Sequence, residues 1–141
     1  MLEVWTDGAM RPIKIKAKKH ESFGHSSIGI IIKKNGEVIK KISDYVGILD
    51  NNQAEYKAFI EALKIVLEME ENEVIFYTDS NLLEKQMNNK YGSYSEKINP
   101  YYLEAKKFLY MIPNYKIVLI PRGANRETDA LTKKVLNDMN L

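Results

Sequence analysis

Asn35-Gly36 sits between two runs of strand-forming residues, Ser27 to Ile32 and Glu37 to Tyr45. An Asn-Gly pair supplies the two positive-φ residues of a primed hairpin turn, whose twist matches that of its flanking strands. The pair therefore commits these runs to neighbouring antiparallel strands. The pattern then changes period. Across residues 53–70, Ala58, Phe59, Ala62, Leu63, Val66 and Leu67 recur at helical spacing, and Asn72 ends them. A buried-type strand follows from Val74 to Thr78, then a short helix over 80–89 and a loop over 90–99 punctuated by Gly92 and Asn99-Pro100. A helix over 101–112, a strand from Ile117 to Ile120 stopped by Pro121, and a helix over 126–139 complete the chain.

Before the hairpin, residues 2–6 read as a strand, and the segment 8–25 has no settled period. Within it, Ile13-Lys14-Ile15-Lys16 alternates as an exposed strand does. Three strands in a meander followed by alternating helices and strands predict one α/β domain over residues 1–141, with a mixed sheet and helices on its faces. No linker or low-complexity tract interrupts it.

Strand directions can be followed through this order. With the first strand pointing up, the second runs down and the hairpin returns the third upward, so the long helix starts at the top. The helix descends, and the strands over 74–78 and 117–120 rise as parallel crossover partners. Two strands stop at a Thr-Asp pair, Val4-Trp5-Thr6-Asp7 and Phe76-Tyr77-Thr78-Asp79. Both of these aspartates reach the top edge. Glu55 arrives there in the first turn of the long helix, and Asp129 near the first turn of the last. Ligands of α/β sheets bind at that carboxyl edge.

Each acid also has a local explanation. Asn52-x-x-Glu55 has the form of a capping box, Asp79 can cap the helix that begins near Ser80, Asp129 suits a positive helix start, and Asp7-Gly8 is a turn pair. Together the four raise a difficulty that the local explanations leave standing, because clustered carboxylates repel and raise one another's pKa. The face shared by Glu55 with Ala58, Phe59, Ala62 and Val66 turns it toward the packed side. The chain has 13 Glu but only 6 Asp, and three of the six are Asp7, Asp79 and Asp129, so Asp is not its generic surface charge. A divalent cation resolves the repulsion. Oxygen ligands without His or Cys favour magnesium, with manganese as the alternative. Four carboxylates suit two such ions on the order of 4 Å apart, an arrangement that serves in-line attack at phosphorus. The expected chemistry is phosphodiester hydrolysis.

Composition sets outer bounds. The absence of Cys excludes disulfides and thiol nucleophiles. No apolar run approaches the ~20 residues of a membrane span, and the N-terminus does not read as a signal peptide, so a cytoplasmic monomer away from membranes is expected. The net charge of +2 is small, but Lys14, Lys16, Lys18 and Lys19 cluster, with Arg11 and His20 beside them. Such a cluster meets phosphates, or blunts an exposed edge strand.

The ordered set Thr6-Asp7-Gly8, Asn51-Asn52-Gln53-Ala54-Glu55, Thr78-Asp79-Ser80 and Asn125-Arg126-Glu127-Thr128-Asp129 resembles the four motifs of the ribonuclease H type 1 family. The resemblance spans Leu2 to about Met139. It implies a five-stranded sheet in the order 3-2-1-4-5 and endonucleolytic cutting of the RNA strand of an RNA–DNA hybrid. It also implies that Asp7 bridges two magnesium ions, that Asp79 joins it on the ion activating water, and that Glu55 and Asp129 complete the other. Glu55 would lie near the 2′-hydroxyl at the cut. Asn51, Asn52 and Asn81 match positions that read the minor groove, which in a hybrid is wide and shows 2′-hydroxyls. Asn125 matches a side chain that holds a DNA phosphate.

Several segments depart from the bacterial form. Its loop His is absent, and Pro121-Arg122-Gly123-Ala124 resembles the archaeal variant, with Arg122 expected to steer the scissile phosphate or metal departure. Its basic handle is also missing. Tyr91, Tyr94, Lys97 and Asn99-Pro100 stand there instead, as in archaeal or plant-type forms. Ala9-Met10 and the lysine segment replace a glycine-rich stretch, and Asp50 replaces a phosphate-pocket Thr. Lys14 and Lys16 are expected on the nucleic-acid backbone. The alternatives are a nuclease of the same fold acting on double-stranded RNA or DNA, and a degenerate module that only binds nucleic acid.

Overall fold

The computed structural model describes residues 1–15, 18–93 and 95–141. Its five strands are β1 (Leu2–Ile15), β2 (Lys18–Lys34), β3 (Glu37–Leu49), β4 (Glu73–Thr78) and β5 (Asn114–Leu119). The helices are α1 (Asn51–Met69), α2 (Asn81–Met87), α3 (Asn99–Leu109) and α4 (Arg126–Asp138), and a 3₁₀ turn at Arg122–Ala124 precedes α4. The strands form one sheet in the order β3-β2-β1-β4-β5. β1 and β3 are antiparallel to β2, while β4 is parallel to β1 and β5 to β4. This is the expected mixed sheet of the ribonuclease H-like fold. Asn35 and Gly36 adopt φ of 52° and 83°, as a primed turn requires.

The length of the arm made by β1 and β2 was not legible in the sequence, where only Ile13 to Lys16 alternates as an exposed strand does. Both strands continue past Asp7 to Ile15 and Lys18, pairing through the segment without a clear period. The register shifts between Pro12 and Ile13, where proline withholds an N–H from the ladder and an irregularity is tolerated. The start of α3 at Asn99 places Pro100 in its first turn, where a missing N–H costs nothing. β5 begins three residues before its expected start at Ile117.

Alternation along the strands sorts the helices. Gly8 pairs with Ile28, and Asp7 pairs with Gly29, so the two glycines face opposite sides of the sheet. α1 crosses at Gly8, where a Cβ would lie 2.3 Å from the Ala54 carbonyl carbon. α4 crosses at Gly29, where a Cβ would lie 2.6 Å from the Thr128 carbonyl oxygen. The main core lies on the α1 side. There Leu2, Val4, Ile30, Ile32 and Phe76 are fully buried against Phe59, Ile60 and Leu63 of α1. Phe59 meets Phe76 edge-on, with ring centroids 5.2 Å apart. Each such side chain contributes about 1.5–3 kcal/mol on burial, so the top ends of β1, β4 and α1 rest on a fixed frame. On the opposite face Trp5 stacks on Tyr77 at 4.7 Å, and the Lys33 ammonium lies 4.9 Å from the indole centroid.

Candidate metal centre

Parallel pairing of β1 with β4 runs from Leu2–Val74 to Trp5–Tyr77 and stops there. The two strands part beyond that pair, and Asp7 and Asp79 each follow it by two residues. Strand order reverses about β1, with β2 on one side and β4 on the other, so the split lies at a crevice of the kind in which α/β sheets bind ligands.

The third acid comes from α1. The N-cap of α1 is Asp50, whose Oδ1 accepts from the Gln53 N–H at 2.7 Å while Gln53 Oε1 accepts from the Asp50 N–H at 2.9 Å. The capping box expected at Asn52 and Glu55 is therefore displaced by two residues. Glu55 takes no part in the cap and turns inward, where Oε1 accepts the Gly8 N–H at 2.5 Å. At α2, the Ser80 hydroxyl caps by accepting the Leu83 N–H at 3.2 Å, so Asp79 takes no part in the cap. Both local explanations fail for a reason the structure makes plain, since a neighbouring residue does the capping.

Oxygens of Asp7, Glu55 and Asp79 all lie within 4.8 Å of one another. Asp7 is 5% exposed and Glu55 8%. Burial, and then the charges of Asp79 and Asp129, push the Asp7 carboxyl up to about 8. Burial followed by the charges of Asp7 and Asp79 raises Glu55 well above the ordinary range, against the opposing effect of the Gly8 N–H. Three carboxyls converge here, and burial disfavours the charged forms of Asp7 and Glu55, so the site needs positive charge between them. Hard oxygen donors without nitrogen or sulfur fit a magnesium- or manganese-type ion.

Asp129 lies outside this trio. It occupies the first turn of α4, with Oδ2 2.8 Å from Lys133 Nζ one turn along. Its charge still acts on Asp7, so it borders the cluster. The expected tetrad is thus three converging acids and a fourth at the rim.

The other candidate residues spread along the same edge. Asn51 and Asn52 are exposed in the first turn of α1, Asn81 opens α2, and Arg122 is exposed in the 3₁₀ turn. Asn125 departs from expectation. It is 1% exposed, and Nδ2 donates to the Thr6 carbonyl at 3.0 Å and to Asp79 Oδ2 at 3.3 Å. Its amide is directed into the protein rather than toward a phosphate, because the strand split offers two acceptors side by side. Lys16 and Tyr94 lie outside the described residues, and of Lys14 the backbone alone is described, opposite Lys19. Two contributors escaped the sequence reading. Gly8 supplies the N–H for Glu55, and the Thr128 hydroxyl donates to Asn125 Oδ1. The glycine after Asp7 was a visible signal for the first, whereas nothing local marked the second.

Residues 15–135 match the family described as reverse transcriptase-like. The chain is 28% identical over 116 residues to ribonuclease HI of Halobacterium salinarum, covering 82% of this chain and 58% of that protein. It therefore spans little more than half the length of that relative. It is 31% identical over 93 residues to the putative hydrolase EbsB of Enterococcus faecalis, covering 64% of this chain and 68% of that one. Among solved structures, RNase H1 from H. salinarum superposes with a TM-score of 0.86 at 26% identity, covering 97% of this chain and 98% of that one. LC11-RNase H1, solved in complex with an RNA/DNA hybrid, superposes with a TM-score of 0.87 at 25% identity over the whole of both chains.

Proposed function

Because the chain belongs to the reverse transcriptase-like family and has its ribonuclease H fold, we propose that it is a ribonuclease H, a magnesium-dependent endonuclease cutting the RNA strand of RNA–DNA hybrids. One observation carries this reading. Asp7, Glu55 and Asp79 converge at the β1–β4 split of a chain that superposes end to end on a ribonuclease H solved with such a hybrid.

Asp7, Glu55, Asp79 and Asp129 would hold the ions. Divalent ions bound there supply Lewis acidity, easing deprotonation of an attacking water and stabilising the leaving oxygen. The remaining work falls to the chain itself. Asn51, Asn52 and Asn81 carry amides with both donors and acceptors along the edge beside the trio, suited to 2′-hydroxyls and base edges in a shallow minor groove. Glu55 follows that amide pair on α1 and reaches Asp7, a place suited to sensing the 2′-hydroxyl at the cut. Arg122 offers a guanidinium to a phosphate at the same edge, and Lys14 and Lys16 are the further residues proposed to meet the nucleic-acid backbone.

The test is a cleavage assay on hybrid, RNA duplex and DNA duplex with magnesium or manganese. Cutting of the hybrid's RNA strand, abolished in Asp7→Asn while the fold persists, is the expected result. Full activity of Asp7→Asn would refute the reading, and preferential cutting of either duplex would reassign the substrate.

A further inference from the structure

The Asn125 side chain occupies the place where β1 and β4 separate. Ladder pairing ends at Trp5–Tyr77, so the Thr6 carbonyl has no ladder partner in β4. The Asn125 Nδ2 group takes over, giving one hydrogen to Thr6 O at 3.0 Å and the other to Asp79 Oδ2 at 3.3 Å. One amide thus spans the residue before Asp7 and the carboxylate of Asp79. Its orientation is determined from behind. The Thr128 hydroxyl donates to Asn125 Oδ1, with the Asn125 carbonyl oxygen also within 3.1 Å. A flipped amide would set an oxygen against two acceptors and withdraw Oδ1 from the hydroxyl. Both donors of the amide and one lone pair of its oxygen are then used.

This orientation has an opportunity cost. Asparagine at a helix N-cap ordinarily accepts from the first free N–H groups, yet Asn125 makes no side-chain cap for α4. Its backbone meanwhile links both sides of the loop, donating to Arg122 O at 3.1 Å and accepting the Asp129 N–H at 3.0 Å. The residue therefore joins three acids. Its side chain holds the spacing between the β1 end that carries Asp7 and the carboxylate of Asp79, and its carbonyl begins the helical turn that carries Asp129.

We infer that Asn125 is a positioning residue for the metal centre, presetting the separation of Asp7 and Asp79 through a bridge whose orientation Thr128 locks, rather than a contact to substrate. This role rests on the metal reading of the site. Groups that orient metal ligands typically contribute on the order of ten- to a hundredfold in metal affinity.

Calorimetric titration of Mn²⁺ into the wild type, Asn125→Ala and Thr128→Val, each folded by circular dichroism, tests it. The expected result for Asn125→Ala is an affinity at least about tenfold weaker at unchanged stoichiometry. Thr128→Val should show a smaller loss in the same direction. In steady-state cleavage, kcat at low metal should fall, recover at saturating metal, and leave KM for hybrid unchanged. Wild-type metal affinity at reduced stoichiometry would show fold support only and overturn the role. So would unchanged metal affinity with a raised KM for hybrid, the mark of a phosphate contact. If Asn125→Ala does not fold, Thr128→Val decides, and wild-type affinity there overturns the lock. A wild type that binds no Mn²⁺ would overturn the metal reading itself, an outcome distinct from variants that bind as the wild type does.

Discussion

Gly8 donates its N–H to Glu55 Oε1 at 2.5 Å, and the same residue leaves no room for a side chain beneath α1. A Cβ there would lie 2.3–2.5 Å from backbone atoms of Ala54 and Glu55, none of which can rotate away. Gly8→Ala must therefore push the first turn of α1 off the sheet and take Glu55 with it. The expected cost is about 1–3 kcal/mol, the usual range for overpacking. Urea unfolding measures it, and Mn²⁺ titration should show weakened binding in the folded variant. A variant with wild-type stability and metal affinity would mean that the approach is not tight.

The repulsion among the acids has a pH signature in metal-free protein. Asp7 moves from 3.8 to about 8 on folding. Below about pH 4 both folded and unfolded chains are protonated at this residue. Between about pH 4 and pH 8 the folded chain keeps a proton that the unfolded chain has released, so stability falls as pH rises, and it levels off above that window. Glu55 shifts in the same direction and steepens the fall. Urea midpoints in EDTA should decline from pH 5 to pH 8 in the wild type and far less in Asp7→Asn. A flat wild-type profile would remove the repulsion from the account.

Metal reverses that trend. An ion bound by the folded chain stabilises it in proportion to the logarithm of its concentration above the dissociation constant. The melting temperature at pH 8 should rise with added Mg²⁺, and Asp7→Asn or Asp79→Asn should abolish the rise. Asp129→Asn should diminish it less, because Asp129 stands outside the converging trio and pairs with Lys133. Equal losses in all three variants would place Asp129 inside the first ring of ligands.

The lysine arm makes a prediction of a different kind. If Lys14 and Lys16 neutralise phosphates, replacing both with Glu should weaken hybrid binding at low salt. The slope of log K against log salt should become shallower by about 2, since each phosphate contact contributes close to one unit. An unchanged slope would remove the arm from the interface.

The sheet's direction was readable because a hairpin turn and long connecting helices leave few ways to place the strand ends. Strand direction alone thus brings Asp7 and Asp79 to one edge. The full length of the arm was not readable, because beyond the short alternation at Ile13 to Lys16 the segment shows no period, and its strands are specified by pairing with each other. The cap of α1 was ambiguous for another reason. Asp50-x-x-Gln53 and Asn52-x-x-Glu55 have equal local chemistry, and only the distant Gly8 and the sheet edge decide between them. The destination of Asn125 was hidden because its partners, Thr6 and Asp79, lie 119 and 46 residues away.

Trp5 is the chain's single tryptophan. It stacks on Tyr77 at the last paired rung before β1 and β4 part. The molecule thus carries its own optical probe at the base of the crevice, with Trp5 two residues from Asp7 and its stacking partner Tyr77 two residues from Asp79. Any change in strand separation on ion entry alters how the indole overlaps the phenol, and with it the emission. Filling of the centre can then be followed in unlabelled protein, by light from one known ring.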